Sequence, residues 1–206
     1  MMLPKYEKRV RKPVTEALPK GAYVIEIKGA KEAPNKNKSG SHLAIAFDIK
    51  EGPYAGHYEK VYQEDQRLDK KWPNDAVYRL TIPTDDSPSY VWRRWNEFFS
   101  DLEDSNGGYV FDGSDLKPLR GKILGGKFAI EETEWEGSIY RHTRLRWTCT
   151  AEAVRTGSVG KMPEDKLLNG GDKPDEAASE NGGTAGSDTP GVLPATETGS
   201  SDESYF

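Results

Sequence analysis

Cysteine is almost missing. Cys149 is the only one in 206 residues, so no internal disulfide can form. His42, His57 and His142 are the only histidines, and no Cys/His group has the spacing of a zinc site. No apolar run approaches the length needed to cross a bilayer. The N-terminal stretch MMLPKYEKRVRKP is basic but is followed by neither an apolar core nor a cleavage site, so no export is expected. Nucleophile elbows, phosphate-cradling glycine loops and the two-histidine zinc pattern are missing as well. These absences point to a reducing, cytoplasmic setting, to no cofactor or metal, and away from an enzyme.

What is present is unevenly spread. The net charge is −5, but residues 1–161 hold 27 Lys+Arg against 24 Asp+Glu, a net of +3. Residues 162–206 hold 2 against 10, a net of −8. A weakly basic body therefore carries an acidic tail, and the length suits one domain with appendages. Residues 1–19, with Lys5, Lys8, Arg9, Arg11 and Lys12, read as a flexible basic arm. Residues 20–161 read as the folded domain. Residues 162–206, dominated by Gly, Ser, Thr, Pro and acids, cannot bury enough apolar surface to offset ordering entropy and are expected to be disordered.

The period within the body is mainly that of strands. In Gly21–Ala33, Tyr23, Ile25 and Ile27 alternate with Val24, Glu26 and Lys28. After the polar loop PNKNKSGS, Leu43, Ile45, Phe47 and Ile49 share a face of His42–Lys50, which predicts a hairpin with the first strand. The turn EGPYAG leads into His57–Gln63, where Tyr58, Lys60 and Tyr62 fall on one face of an expected third strand. Ala76–Pro83 is a further strand candidate with Trp72 in the loop before it. From Ser89 to Leu102 the spacing changes to that of a helix, with Val91, Trp92, Trp95, Phe98, Phe99 and Leu102 as its apolar stripe. Ser87 is the expected N-cap, Pro88 opens the helix and Asn106-Gly107-Gly108 ends it. Trp92 and Trp95 are read as a core plug.

Strands resume at Leu119–Glu132, where Gly125-Gly126 suggests a bulge or bend, and at Ile139–Val154. In the last strand Ile139, Thr143, Leu145, Trp147 and Cys149 alternate with Tyr140, His142, Arg144, Arg146 and Thr148. Arg141 breaks the apolar set and is expected near an exposed end. Five strands with one helix inserted after the third predict a mainly β fold, an OB-like five-stranded barrel. Such a barrel offers a single strand exposed rings for stacking and cations for the backbone. Tyr58, Lys60, Tyr62, Tyr140, Arg144 and Arg146 supply both, and Lys36 and Lys38 in the first hairpin loop are placed to reach phosphates.

These segments, together with Asn37-Lys38-Ser39-Gly40, the EGPYAG turn, Leu119-Arg120-Gly121-Lys122 and Glu134-Trp135-Glu136-Gly137, resemble a family of bacteriophage proteins. Its members are regarded as single-stranded DNA-binding proteins, and the likeness covers residues 21–157. It implies binding to single-stranded DNA in replication or recombination, in the cytoplasm of the infected host. The ending SSDESYF is similar to the acidic, aromatic-ended tails of such proteins. There Asp202 and Glu203 would steer a replication or recombination partner, and Tyr205 and Phe206 would anchor it. Two rival classes stand beside this one. Glu26-Ile27-Lys28 and Asp48-Ile49-Lys50 have the spacing of a metal-dependent nuclease, and the tyrosines would equally serve a structural or protein-interaction module.

Overall fold

The computed structural model describes residues 17–35, 40–67 and 69–168. Alternation in the first two segments produces the strands expected of it. β1 (Gly21–Pro34) pairs antiparallel with β2 (Ser41–Ile49), with Ile25 opposite Ile49 and Ile27 opposite Phe47. β3 (Val77–Thr81) adds to β2, while β4 (Ile123–Trp135) pairs with β1 and β5 (Ser138–Cys149) pairs with β4. The result is one five-stranded antiparallel sheet in the order β3-β2-β1-β4-β5. It is left open between the edge strands β3 and β5.

Helices complete the body. α1 (His57–Glu64) lies between β2 and β3, α2 (Ser89–Ser105) between β3 and β4, and the short α3 (Ala151–Arg155) follows β5. Phe98 and Leu102 of α2 are buried against the inner face of the sheet, in one core with Ile25, Ile27, Ile45, Phe47, Leu124 and Phe128. Each such side chain contributes about 1.5–3 kcal/mol by leaving water. Among the described residues no helix is long and apolar enough to cross a membrane.

Three expectations are corrected here. His57–Gln63 is helix, not strand, and the third strand is Val77–Thr81. The cause is a contact that local alternation does not reveal. At the end of β2 the buried Asp48 accepts hydrogen bonds from the backbone N–H of Tyr58 at 2.9 Å and of Glu59 at 3.1 Å. Those are two of the N–H groups that a helix start leaves without partners. Gly56, in the left-handed region at φ 71°, turns the chain into that position. Apolar residues at 58, 61 and 62 fit a helical stripe as well as a strand face.

The second correction concerns α2. Ser87 does not cap it: its Oγ accepts from Thr84 N–H at 2.8 Å, and Pro88 occupies the cap position. Trp95 packs on the core as expected, but Trp92 is 40% exposed. The third concerns the last strand, which stops at Cys149 because Thr150 caps α3 by accepting from Ala153 N–H at 3.2 Å.

Gly125 and Gly126 serve close packing. A Cβ on Gly125 would lie 2.6 Å from the Thr150 carbonyl oxygen, and one on Gly126 would lie 2.8 Å from Leu145 Cδ1. The register shift itself comes between Lys127 and Phe128, where β5 carries the extra residue Arg146. The body also extends beyond the expected boundaries. Leu18 is buried in the core, and Lys166 bridges to Glu131 on the margin of β4.

Asp48→Ala is expected to lower unfolding free energy by about 2–3 kcal/mol, since it removes a cap and leaves buried N–H groups unpaired. Asp48→Asn, which keeps one acceptor oxygen, should lose less. Denaturant titration checks this, and an Asp48→Ala protein as stable as the parent would refute the capping role.

Candidate nucleic-acid interface

The β4–β5 hairpin extends past the end of its β1 neighbour, whose last pairing is Gly21 with Phe128. A two-residue turn, Glu136-Gly137, closes it with φ values of 50° and 73°. Both being positive is the sign pattern of a turn that matches strand twist. The turn fixes Trp135 opposite Ser138, Thr133 opposite Tyr140, Glu131 opposite His142 and Ala129 opposite Arg144. Directly opposed residues share a face. Trp135, Tyr140, His142 and Arg144 therefore project from one face of the hairpin, out of phase with the core pair Phe128 and Leu145. Trp135 and Tyr140 are 48% and 47% exposed, diagonal neighbours near the tip.

Farther from the tip the cations of this face are held by carboxylates. Arg144 lies 3.3 Å from Asp75 and 3.5 Å from Glu131, and His142 Nδ1 lies 2.9 Å from Asp75 Oδ2. Arg146 lies 3.7 Å and Lys166 3.1 Å from Glu131. Burial pushes the Glu131 carboxyl up, but Lys166, Arg144 and Arg146 outweigh it and hold the group below the usual carboxylate range. Asp75 belongs to the 3-10 turn Asn74–Ala76 that precedes β3, so its pairs with His142 and Arg144 link the two edges of the open sheet. Arg141, exposed near the hairpin end as expected, donates to Glu132 at 2.7 Å.

The other expected contacts scatter. Tyr58 is in the core, its ring edge-on to Phe47 at 5.7 Å, and this corrects its placement on an open strand face. Lys60 is exposed on α1. Tyr62, half-buried on α1, packs on Trp72 at 5.6 Å, with Lys70 Nζ 5.8 Å from its ring. The structure thus brings together Tyr140, Arg144 and Arg146 but separates them from Tyr58, Lys60 and Tyr62. Lys36 and Lys38 lie outside the described residues, as do Asp202, Glu203, Tyr205 and Phe206.

Trp135 is the ring that the sequence reading missed. Its signal was its phase, since it continues the alternation of Glu131 and Thr133 once the strand is carried to a two-residue turn. The acid-Lys pairs are also accounted for. Glu26 Oε2 accepts from Lys28 at 3.0 Å and from Lys50 at 3.2 Å, while Asp48 holds α1.

No protein-family model matches the chain, and no curated protein matches it. The likeness to the phage single-stranded DNA-binding family rests on the sequence segments alone.

The Glu131 cluster predicts a pH dependence. A carboxyl held below its unfolded value adds stability that is present above that value and is lost as pH falls through the folded one. Glu131→Gln should therefore lower the thermal midpoint near neutral pH and flatten its decline on acidification. An unchanged acid limb, followed by thermal melts from pH about 7 to about 3, would show that the cluster contributes nothing.

Proposed function

We propose that the folded body binds single-stranded DNA with little sequence preference. The observation that carries this reading is the exposed pair Trp135 and Tyr140 on one hairpin face, with His142 and Arg144 farther along it. Every base has a π-face, so rings presented in a row bind single strands without reading sequence. A duplex keeps its bases stacked internally and offers such rings little.

The strand order lends support. β3-β2-β1-β4-β5, with a helix between β3 and β4, is the order obtained by unrolling an OB barrel at its β3–β5 seam, and partly open barrels of this kind bind oligonucleotides. On this reading the β1–β2 loop, which carries Lys36 and Lys38, and the β4–β5 turn are the two loops that flank the strand. The nuclease reading is weaker, because Asp48 is occupied by backbone N–H groups and Glu26 by two lysines. The likeness to phage proteins makes replication or recombination the setting, with Asp202, Glu203, Tyr205 and Phe206 recruiting the partner.

Titrating the full chain with an oligothymidine strand and with a duplex should show clear preference for the single strand. Trp135→Ala and Tyr140→Ala should each weaken single-strand binding about 5- to 150-fold, the equivalent of ~1–3 kcal/mol of stacking per base. Equal affinity for duplex, or folded variants that bind like the parent, would refute the proposal.

A further inference from the structure

Among the described residues the sheet keeps one long open stretch of edge, at the projecting tip of the β4–β5 hairpin. The other edge strand, β3, is only five residues long and offers little to pair with. β4 loses β1 beyond Phe128, but the chain's own residues 165–168 cover it there. Lys166 N–H donates to the Ile130 carbonyl at 2.8 Å and Glu132 N–H to the Lys166 carbonyl at 2.9 Å, while Asp165 Oδ1 accepts from Ile130 N–H at 2.9 Å. β5 runs for 12 residues and pairs with β4 alone. Its inner part is tied to the body by Asp75, through His142 and Arg144, and by Asp101, through Thr148. Residues 138–141 are exposed, and among the described residues their backbone bonds go only to β4.

The turn decides which groups that edge presents. A two-residue turn closes on a hydrogen-bonded pair, here Trp135 and Ser138, and bonded and non-bonded pairs then alternate along the hairpin. Ser138, Tyr140 and His142 therefore direct their N–H and C=O groups to β4, whereas Ile139 and Arg141 direct theirs outward. Ile139 is 50% exposed on one face of the tip and Tyr140 47% exposed on the other. Both faces carry uncovered apolar surface beside the open edge.

We infer that residues 138–142 of β5 pair antiparallel with the same residues of a second copy of the chain, Tyr140 beside the partner's Tyr140. Ile139 and the partner's Arg141 then exchange both backbone bonds, and symmetry repeats the exchange. Each hairpin projects past its own β1, so the two bodies lie at opposite ends of a four-stranded ribbon and do not collide. Charge agrees with this register. The Arg141 stem lies over the partner's Ile139, and its guanidinium, 2.7 Å from Glu132, faces the partner's Glu134 on the next strand. Centring the pair on Arg141 would instead oppose two guanidiniums, which is destabilising. The pairing does not rest on the single-strand reading, but it extends that site: the two Tyr140 rings meet on one face, with a Trp135 toward either end.

Sedimentation of the full chain without nucleic acid, from about 1 μM to about 1 mM, should show a reversible monomer–dimer equilibrium. Ile139→Lys sets an ammonium against the partner's Arg141 twice over by symmetry, and should weaken the dimer about tenfold or more. Ile139 is half exposed, and matching melting curves confirm an intact fold. A second measurement reads the register. A non-hydrogen-bonded pair holds its Cα atoms about 4.5 Å apart, within disulfide reach, so Tyr140→Cys treated with oxidised glutathione should give a covalent dimer through residue 140. Ile139→Cys should not, because it lies opposite the partner's Arg141. Peptide mapping separates this bridge from any at the buried Cys149.

A chain that stays monomeric at about 1 mM would overturn the inference and leave the single-strand proposal standing, since no strand is present. A dimer that Ile139→Lys leaves unchanged would put the interface elsewhere on the chain and overturn it as well. Equal crosslinking at the two cysteine positions would contradict the register.

Discussion

One buried carboxylate determines how the middle of the chain runs. Asp48, at the end of β2, accepts from the N–H groups of Tyr58 and Glu59 and from its neighbour Ile49 at 2.8 Å. A carboxylate that is 2% exposed needs such partners, because an unpaired buried charge is costly. By taking them from residues 58 and 59 it starts a helix against the sheet instead of continuing a meander. Tyr58 is thereby driven into the core against Phe47. The chain then reaches β3 through the turn that carries Asp75.

That detour has a consequence at the opposite end of the sheet. β3 and β5 are its edges, and unpaired edges invite other strands. Asp75, delivered just before β3, reaches across to His142 and Arg144 on β5. Asp101 of α2 accepts from the Thr148 hydroxyl at 2.6 Å. The seam is bridged by side chains where backbone bonds do not join it. Beyond these bridges the hairpin projects with two rings in solvent, where stacking costs no core packing.

Much of this was legible in the sequence, because it depends on neighbours a few residues apart. Alternation located β1 and β2 and their pairing, the apolar stripe located α2, and the phase of Tyr140, Arg144 and Arg146 put them on an accessible strand. The remainder depends on distant partners. Tyr58, Lys60 and Tyr62 alternate as a strand would, and only Asp48, ten residues earlier, makes them helical. Trp92 belongs to the right stripe by spacing, yet it lies at the stripe's margin, so it stays partly in water. Trp135 was hidden by the assumption that the strand ended at Glu132, although the Glu136-Gly137 turn carries pairing to its last residue. The carboxylate partners of Arg144 and Arg146 come from residues 75 and 131, on elements that local pattern does not bring together.

The most direct test of single-strand binding by the hairpin is ultraviolet crosslinking of an oligothymidine to the full chain, with crosslinked residues located by mass spectrometry. Zero-length crosslinks form where a ring stacks on a base. They are expected at Trp135 and Tyr140, and they should be lost in competition with unlabelled single strand but not with equal duplex. Absence of crosslinks, or crosslinks confined to residues away from the β4–β5 hairpin, would contradict the assignment of this face to nucleic acid.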